Sequence, residues 1–282
     1  MTFSELYAYS KDILLQSGND SGAYDTMCLM KKFFDIDRLK FSIRRNETPE
    51  KHLEDEFISA VKKRSEGYPL QYILGKWDFM DSEFYVGEGV LIPRDDTEVV
   101  VNSCIGALKN IDCPVIIDLC SGSGAIAVTL AKIYPDSKVY ALELSDKAFS
   151  YLEKNIEHNN IKNITMLKDD ICTCYDKFDN CFFDAIISNP PYIQTDIIKT
   201  LQTEVQNEPV LALDGGSDGL DFYRIISEKW ISKLKIGGTI SLEIGEEQAE
   251  AVSSILKDSG ISDIKVIKDI QNLDRVIFGT KT

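Results

Sequence analysis

Length, composition and charge exclude several classes of protein. The chain has 282 residues, of which 44% are hydrophobic and 27% are charged, as in ordinary globular proteins. No segment approaches the roughly 18 consecutive apolar residues that a membrane-spanning helix needs, and the N-terminal segment lacks the apolar core of a secretion signal. These features predict a cytoplasmic protein. The net charge of -15 argues against a nucleic-acid substrate, because affinity for nucleic acid depends on Lys and Arg side chains that neutralise phosphates.

The cysteines predict neither a disulfide framework nor a metal site. There are 7 of them, an odd number, and no Cys-x-x-Cys pair occurs. Cys172 and Cys174 lie closest together, but zinc needs four ligands, and the 2 histidines, His52 and His158, are not spaced to complete a set. We therefore expect reduced thiols and no bound metal.

Residues 1–75 have the apolar periodicity of helices, as in Leu53, Phe57 and Val61. Thr48 followed by Pro49 indicates an N-cap with proline at the first helical position. This segment carries 11 basic and 12 acidic side chains, whereas residues 76–282 carry 20 and 34, so the acidity belongs to the second part of the chain. Positive charge within residues 1–75 is concentrated in one stretch, which predicts a solvated helix face, with a partner surface as the alternative. The residues of this stretch are Lys31, Lys32, Arg38, Lys40, Arg44 and Arg45.

Strand and helix patterns alternate after a hairpin-like stretch of aromatic, apolar and glycine residues at 76–92. Strands are predicted at 115–119, 138–142, 164–167, 183–188, 239–244, 264–267 and 275–278. Helices are predicted at 125–134, 146–158, near 220–234 and at 246–259. Such alternation indicates an α/β fold with a mostly parallel, Rossmann-like sheet, and the last two strands are too close in sequence for a crossover helix, so they pair antiparallel. We therefore predict three parts: a helical domain at 1–75, a hairpin linker at 76–92 and an α/β domain at 93–282.

A glycine loop follows the first strand of the α/β domain and predicts a nucleotide-like ligand. Gly122 and Gly124 lie between the strand and a helix, where backbone can approach a ligand closely. Glu143 ends the next strand, 21 residues after Gly122, where its carboxylate can accept hydrogen bonds from two ribose hydroxyls. The alternative for Glu143 is an ordinary surface charge.

Asp118 favours S-adenosylmethionine over a dinucleotide as this ligand. It ends the first strand, where a carboxylate would repel a pyrophosphate but complement the ammonium and sulfonium groups of S-adenosylmethionine. Asp170, after the third strand, can accept a hydrogen bond from the adenine amino group. These features resemble the class I methyltransferase pattern D-x-G-x-G-x-G, with Cys120 at the first glycine position. The predicted cofactor-binding residues are Asp118, Cys120, Ser121, Gly122, Ser123, Gly124, Glu143, Asp170, Ile171 and Asn189.

The segment Asn189-Pro190-Pro191-Tyr192 predicts a site for a planar NH2 group. The prolines end the preceding strand and leave the carbonyl of Pro190 as a rigid acceptor beside the side-chain carbonyl of Asn189, while Tyr192 offers a ring for stacking. Two acceptors that hold both N–H bonds can direct the nitrogen lone pair towards a methyl donor, so catalysis requires alignment more than a strong base. We predict Asn189, Pro190 and Tyr192 as catalytic and all four residues as substrate-binding. The alternative is a proline-rich turn that only ends the strand.

These features resemble the HemK family, the release factor glutamine methyltransferases, over nearly the whole chain. Beyond Asn189 to Ile193, the resemblance rests on three segments: Gln71 to Gly75, Leu91 to Glu98 with Asp95 where the family usually has proline, and Glu208-Pro209 followed by Gly215-Gly216-x-Asp218-Gly219-Leu220. The resemblance implies a helical N-terminal domain that helps to hold the release factor. It also implies a class I methyltransferase domain that methylates N5 of the glutamine in the Gly-Gly-Gln motif.

Two other functions compete with this prediction. The Asn-Pro-Pro-Tyr segment is shared with adenine-N6 DNA methyltransferases and some RNA methyltransferases, so methylation of an exocyclic amine on nucleic acid is the first alternative. The charge of residues 76–282 argues against it. The second alternative is a noncatalytic partner-binding module, which the presence of both motifs in one chain disfavours.

Overall fold

The computed structural model describes residues 1–282. Its α-helices are α1 (Phe3–Gln16), α2 (Gly22–Phe34), α3 (Arg38–Arg44), α4 (Lys51–Ser65), α5 (Leu70–Leu74), α6 (Thr97–Leu108), α7 (Ala125–Ile133), α8 (Asp146–His158), α9 (Thr203–Gln206), α10 (Asp221–Ile225) and α11 (Ala249–Asp258). Its strands are β1 (Lys76–Phe79), β2 (Ser82–Tyr85), β3 (Val115–Leu119), β4 (Lys138–Glu143), β5 (Ile164–Lys168), β6 (Phe183–Ser188), β7 (Leu234–Glu243), β8 (Ile261–Lys268) and β9 (Asp274–Lys281).

The chain forms two compact units, one of which consists of residues 1–76 together with residues 202–207. In this unit α1, α2 and α4 pack around an apolar core that includes Leu14, Leu29 and Phe57. The buried Arg64 side chain forms ion pairs with Asp25 and with Glu204 of α9, each with an N–O distance of 2.6 Å. The six-residue segment 202–207, distant in sequence, is thus tied to the helical unit, a connection that the sequence pattern did not predict.

One helix boundary in this unit differs from the prediction. Helix α4 begins at Lys51 with Glu50 as its N-cap residue, so Thr48 lies outside the helix and does not cap it. Pro49 therefore precedes the helix instead of opening it. The capping box that does form is at α1, where Thr2 and Glu5 each accept a hydrogen bond from the backbone of the other.

The other unit consists of residues 77–201 and 208–282 and contains a seven-stranded sheet in the order β5-β4-β3-β6-β7-β9-β8. Strands β3 to β7 are parallel, and β9 is antiparallel to both β7 and β8, which confirms the predicted α/β class and its antiparallel C-terminal pair. Apolar clusters cover both faces, with α6, α7 and α8 on one and α10 and α11 on the other. The residues 76–92 contain the short hairpin formed by β1 and β2.

The register of the central strands determines where the functional segments meet. Leu119 of β3 is paired with Leu142 of β4 and with Ser188 of β6, and Ser188 is paired in turn with Leu242 of β7. The residues that follow these positions therefore lie at one edge of the sheet. Successive strands are added on one side of β3 up to β5 and on its other side from β6 onward, so the strand order reverses between β3 and β6. Open α/β sheets bind ligands at such a switch point.

The segment before β7 is less regular than predicted. In place of one helix near 220–234, α10 continues as a π-helical turn at Ile226–Trp230 and a 3-10 turn at Ile231–Lys233. The wider turn buries Trp230, whose indole N–H donates to the carbonyl of Ile171 at 2.9 Å. Strand β7 begins at Leu234, earlier than expected from the sequence.

No helix combines the length and the apolar character that crossing a lipid bilayer requires. No group of three or more His, Cys, Asp or Glu side chains is arranged to hold a metal ion.

Candidate active site

The loop after β3 adopts a conformation that only a few residue types accept readily. Cys120, Gly122 and Gly124 have φ angles of 62°, 56° and 84°, so all three lie in the left-handed region. A Cβ atom on Gly124 would approach the Leu152 side chain to 2.5 Å, so α8 packs directly against this glycine. The cysteine at the first glycine position therefore takes the left-handed conformation that glycine would take there, at a cost in strain of about 1 kcal/mol.

Glu143, at the end of β4, fastens this loop by its carboxylate. One oxygen accepts a hydrogen bond from the Gly122 N–H at 2.8 Å, and the other accepts from the Ser145 N–H at 2.7 Å. The side chain is buried, and burial raises the pKa of its carboxyl group above the ordinary value. Glu143 is therefore not an exposed surface charge, which was the alternative interpretation of this residue, but a buried side chain that holds the glycine loop.

Asp118 lies beneath the loop and is completely buried. The Ser121 hydroxyl and the Ala127 N–H face its carboxylate without a well-formed hydrogen bond to either oxygen, and burial raises the pKa of the group to about 8. It does not line the cavity. Asp118 is therefore not placed to contact a ligand directly, and the cofactor-binding role expected for it stays a prediction.

The Asn189–Tyr192 segment forms a corner that side chains from two other segments hold in place. The side-chain NH2 group of Asn189 donates to Thr97 Oγ1 at 3.1 Å, and the Thr97 hydroxyl donates to Glu243 Oε2 at 2.6 Å. The Tyr192 hydroxyl donates to the other Glu243 oxygen at 3.2 Å. Thr97 begins α6 and Glu243 ends β7, so this arrangement exists only in the folded chain.

Two glycines allow the backbone of the corner to be packed closely. A Cβ atom on Gly215 would lie 2.7 Å from the Cα atom of Tyr192, and one on Gly219 would lie 2.4 Å from the Tyr192 carbonyl oxygen. Gln248 donates to the same carbonyl oxygen at 2.9 Å. The glycine segment that resembles the family thus supports the corner sterically.

The glycine loop and the corner open into one cavity of about 250 Å³. The predicted site residues that line it are Cys120, Ser121, Gly122, Ser123, Glu143, Asp170, Ile171, Asn189 and Pro191. The predicted site residues that do not line it are Asp118, Gly124, Pro190 and Tyr192. Gly124 begins α7, and Tyr192 is directed at Glu243, so both support the walls from behind.

Several cavity residues were not predicted as site residues. Arg94 comes from the segment before α6, Thr97 is the first residue of α6, and Phe222 and Ile225 come from α10. Arg94 pairs with the buried Glu208, which also accepts a hydrogen bond from the Ile92 N–H at 2.9 Å. The segments Leu91–Glu98 and Glu208–Pro209 carried the family resemblance, and that resemblance was the only signal in the sequence for their place in the cavity.

Two families match the chain in separate regions. The PrmC N-terminal domain matches residues 5–75, and the Methyltransferase small domain matches residues 103–211. Among solved structures, the hMettl16 catalytic domain in complex with the MAT2A 3'UTR hairpin 1 aligns with 83% of this chain and 82% of its own, with a TM-score of 0.58 and 13% identity. At that identity the likeness concerns the fold alone.

Curated relatives cover most of the chain at substantial identity. A release factor glutamine methyltransferase from Thermodesulfovibrio yellowstonii is 42% identical over 79% of this chain and 80% of its own length. Another from Clostridium botulinum is 36% identical over 100% of both chains. These matches agree with the resemblance carried by the motifs, and the chain belongs to the family of release factor glutamine methyltransferases.

Proposed function

We propose that this protein transfers a methyl group from S-adenosylmethionine to N5 of the glutamine in the Gly-Gly-Gln motif of peptide chain release factors. The observation that carries the proposal is that the glycine loop and the Asn189 corner open into the same cavity. One wall has the features of a cofactor site, and the other has acceptors suited to a planar amide. Family membership supplies the class of substrate.

The residues of the first wall fit the cofactor. The left-handed loop exposes backbone to the ligand, and Glu143 and Asp170 line the cavity as acceptors. The Asp118 carboxyl group, buried behind the loop, would favour a ligand with positive charge when it is ionised. We assign cofactor binding to these residues and to Cys120, Ser121, Gly122, Ser123, Gly124, Ile171 and Asn189. S-adenosylmethionine, when bound, supplies an electrophilic methyl group on a sulfonium.

The residues of the second wall would hold the substrate amide. An amide nitrogen is a poor nucleophile because its lone pair is delocalised, so orientation has to provide most of the rate enhancement. The side-chain carbonyl of Asn189 accepts a hydrogen bond from one N–H of the amide, and Pro191 beside it lines the cavity. We assign the other N–H to the main-chain carbonyl of Pro190 and a supporting role to Tyr192, although neither of these two residues lines the cavity. Methyl transfer to the amide nitrogen would leave S-adenosylhomocysteine as the second product, and the N–H proton that the nitrogen gives up would pass to solvent.

We further propose that the helical unit contacts the body of the release factor. Some of its basic side chains already form ion pairs within the unit: Lys31 pairs with Asp35, and Arg44 pairs with Glu47. Arg38 and Arg45 are exposed, and Leu39 and Ile43 beside them are exposed apolar side chains. We propose a cytoplasmic location as well, since release factors act in translation.

Methylation of nucleic acid is not favoured. Residues 76–282 carry 34 acidic and 20 basic side chains, a balance that repels a polyanion. A noncatalytic module is equally disfavoured, because the cofactor wall and the amide wall occur together in one cavity.

The test is methyl transfer from labelled S-adenosylmethionine to purified release factor, to duplex DNA and to structured RNA in parallel. We expect label in the release factor alone. Label in either nucleic acid and none in the protein would overturn the proposal, and cofactor binding without any transfer would support the noncatalytic module.

A further inference from the structure

We propose that Glu243, acting through Thr97, fixes the orientation of the Asn189 side-chain amide so that its carbonyl oxygen, and not its NH2 group, is presented to the substrate. Glu243 and Thr97 are then positioning residues, and neither touches the reacting atoms. The inference rests on the proposed function only for the identity of the substrate group.

The geometry links the three residues in one chain of hydrogen bonds. Asn189 Nδ2 lies 3.1 Å from Thr97 Oγ1, which lies 2.6 Å from Glu243 Oε2. Thr97 is 4% exposed and Glu243 is 1% exposed, so water does not compete strongly for these contacts. The strand register explains the alignment, because Glu243 follows Leu242, which is paired with Ser188, the residue before Asn189.

Only one assignment of donors and acceptors fits the two hydrogen bonds that link Asn189, Thr97 and Glu243. An ionised carboxylate accepts hydrogen bonds and donates none, so the single Thr97 hydroxyl proton must point to Glu243. Thr97 Oγ1 can then only accept, and the group that Asn189 turns towards it must be the NH2 group. The Asn189 carbonyl oxygen is therefore directed away from Thr97 and is available to accept an N–H of the substrate amide.

The same carboxylate also holds the far end of the corner. Its second oxygen accepts the Tyr192 hydroxyl at 3.2 Å, so Asn189 and Tyr192 are both fastened to Glu243. No other carboxyl group contacts Asn189 or the Tyr192 hydroxyl through a side-chain hydrogen bond. One buried group thus sets the orientation of Asn189, which lines the cavity, and of Tyr192, which supports the wall from behind.

The ionisation of Glu243 gives the arrangement a pH dependence. Burial raises the pKa of Glu243 to about 7, against the effects of the Thr97 hydroxyl, Arg275 on β9 and the Tyr192 hydroxyl, while Asp96 before α6 raises it further. A protonated Glu243 can donate to Thr97, which can then donate to the Asn189 carbonyl oxygen and hold the amide in the reversed orientation. Turnover should therefore fall as the pH falls through about 7.

The experiment compares four substitutions in the full-length protein: Thr97→Val, Thr97→Ser, Ser103→Ala and Glu243→Gln. Thr97→Val removes the hydroxyl at nearly constant volume, and Thr97→Ser keeps it. Ser103→Ala is the matched control, because Ser103 also joins α6 to β7, through a 2.5 Å contact with Ser241, but it does not reach Asn189. We measure kcat and KM for release factor, the Kd for S-adenosylmethionine and the thermal unfolding midpoint.

Thr97→Val should lower kcat by roughly tenfold to a hundredfold with the cofactor Kd unchanged, as expected when a reacting group loses its alignment. The kcat of Thr97→Ser should remain within about threefold of the wild-type value, and the kcat of Ser103→Ala should equal the wild-type value. Glu243→Gln should remove the acidic decline in kcat near pH 7. Equal losses in Thr97→Val and Ser103→Ala, or a pH profile that Glu243→Gln leaves unchanged, would overturn the inference.

A second readout does not depend on methyl transfer. Nitrogen-15 NMR of the Asn189 side-chain NH2 group should show protection from hydrogen exchange, relative to the intrinsic rate at the same pH, above pH 7, weaker protection below it, and little protection at any pH in Thr97→Val. If the wild type methylates no release factor but this pattern holds, the proposed function fails and the positioning inference stands. Exchange that is equally fast in the wild type and in Thr97→Val would reject the inference itself.

Discussion

The two walls of the cavity are built in different ways. The cofactor wall depends on main-chain groups within a short stretch, where the loop from Cys120 to Gly124 is fastened by Glu143 at the end of the next strand. The substrate wall depends on side chains from three distant segments, which join Asn189 to Thr97 and Glu243. The difference suggests a division of labour in which backbone conformation binds the cofactor and a side-chain network aligns the substrate.

The largest expected effect comes from Asn189→Ala, which removes an acceptor from the substrate wall. We expect methyl transfer to fall on the order of 100-fold, because the substrate amide loses its alignment. The affinity for S-adenosylmethionine, measured by calorimetry, should fall far less than turnover, although Asn189 is also assigned to the cofactor site. Equal losses of turnover and cofactor affinity would mean that Asn189 mainly builds the cofactor wall, and the division between the walls would fail.

Glu143→Ala should produce the converse result. It removes a charged acceptor from the predicted ribose site, a contact of roughly 1.5–3 kcal/mol, so the Kd for S-adenosylmethionine should rise about tenfold to a hundredfold. Turnover at saturating cofactor should fall much less. Asp146→Ala is the matched control, because this nearby carboxylate is 97% exposed and should leave the Kd unchanged. An unchanged Kd for Glu143→Ala would contradict any role of Glu143 in cofactor binding.

Charge reversal of Arg38 and Arg45 tests a surface outside both walls. On intact release factor we expect a several-fold loss of kcat/KM that becomes smaller as salt is added, because exposed charges act mainly on association. On a short Gly-Gly-Gln peptide the rate should match that of the wild type. A similar loss on both substrates would show that the effect is not one of recognition.

The smallest expected effect is that of Cys120→Gly. Glycine relieves the strain of the left-handed conformation but gives more conformational freedom to the unfolded chain, so the two contributions largely offset. The free energy of unfolding, measured with urea, should change by less than about 1 kcal/mol, and cofactor affinity should stay within twofold. A large loss of affinity would show that the thiol, and not the backbone, contributes to binding.

Local patterns made the α/β class, the strands β3 and β6, and the glycine loop predictable. Apolar runs bounded by glycine or proline identify such strands, and the loop follows β3 directly in sequence. The roles of Thr97 and Glu243 were not predictable in this way, because they lie 92 residues before and 54 residues after Asn189 and meet it only through the fold. The turn at Ile226–Trp230 was missed for a related reason, since the apolar spacing there fits an ordinary helix.

The most direct test of the central claim is to identify the methylated atom. Release factor incubated with the enzyme and labelled S-adenosylmethionine is digested, and the Gly-Gly-Gln peptide is analysed by tandem mass spectrometry beside a factor in which that glutamine is replaced by glutamate. We predict one methyl group on the glutamine side-chain nitrogen and none in the glutamate variant. A methyl group on another residue, or equal labelling of both factors, would contradict the account.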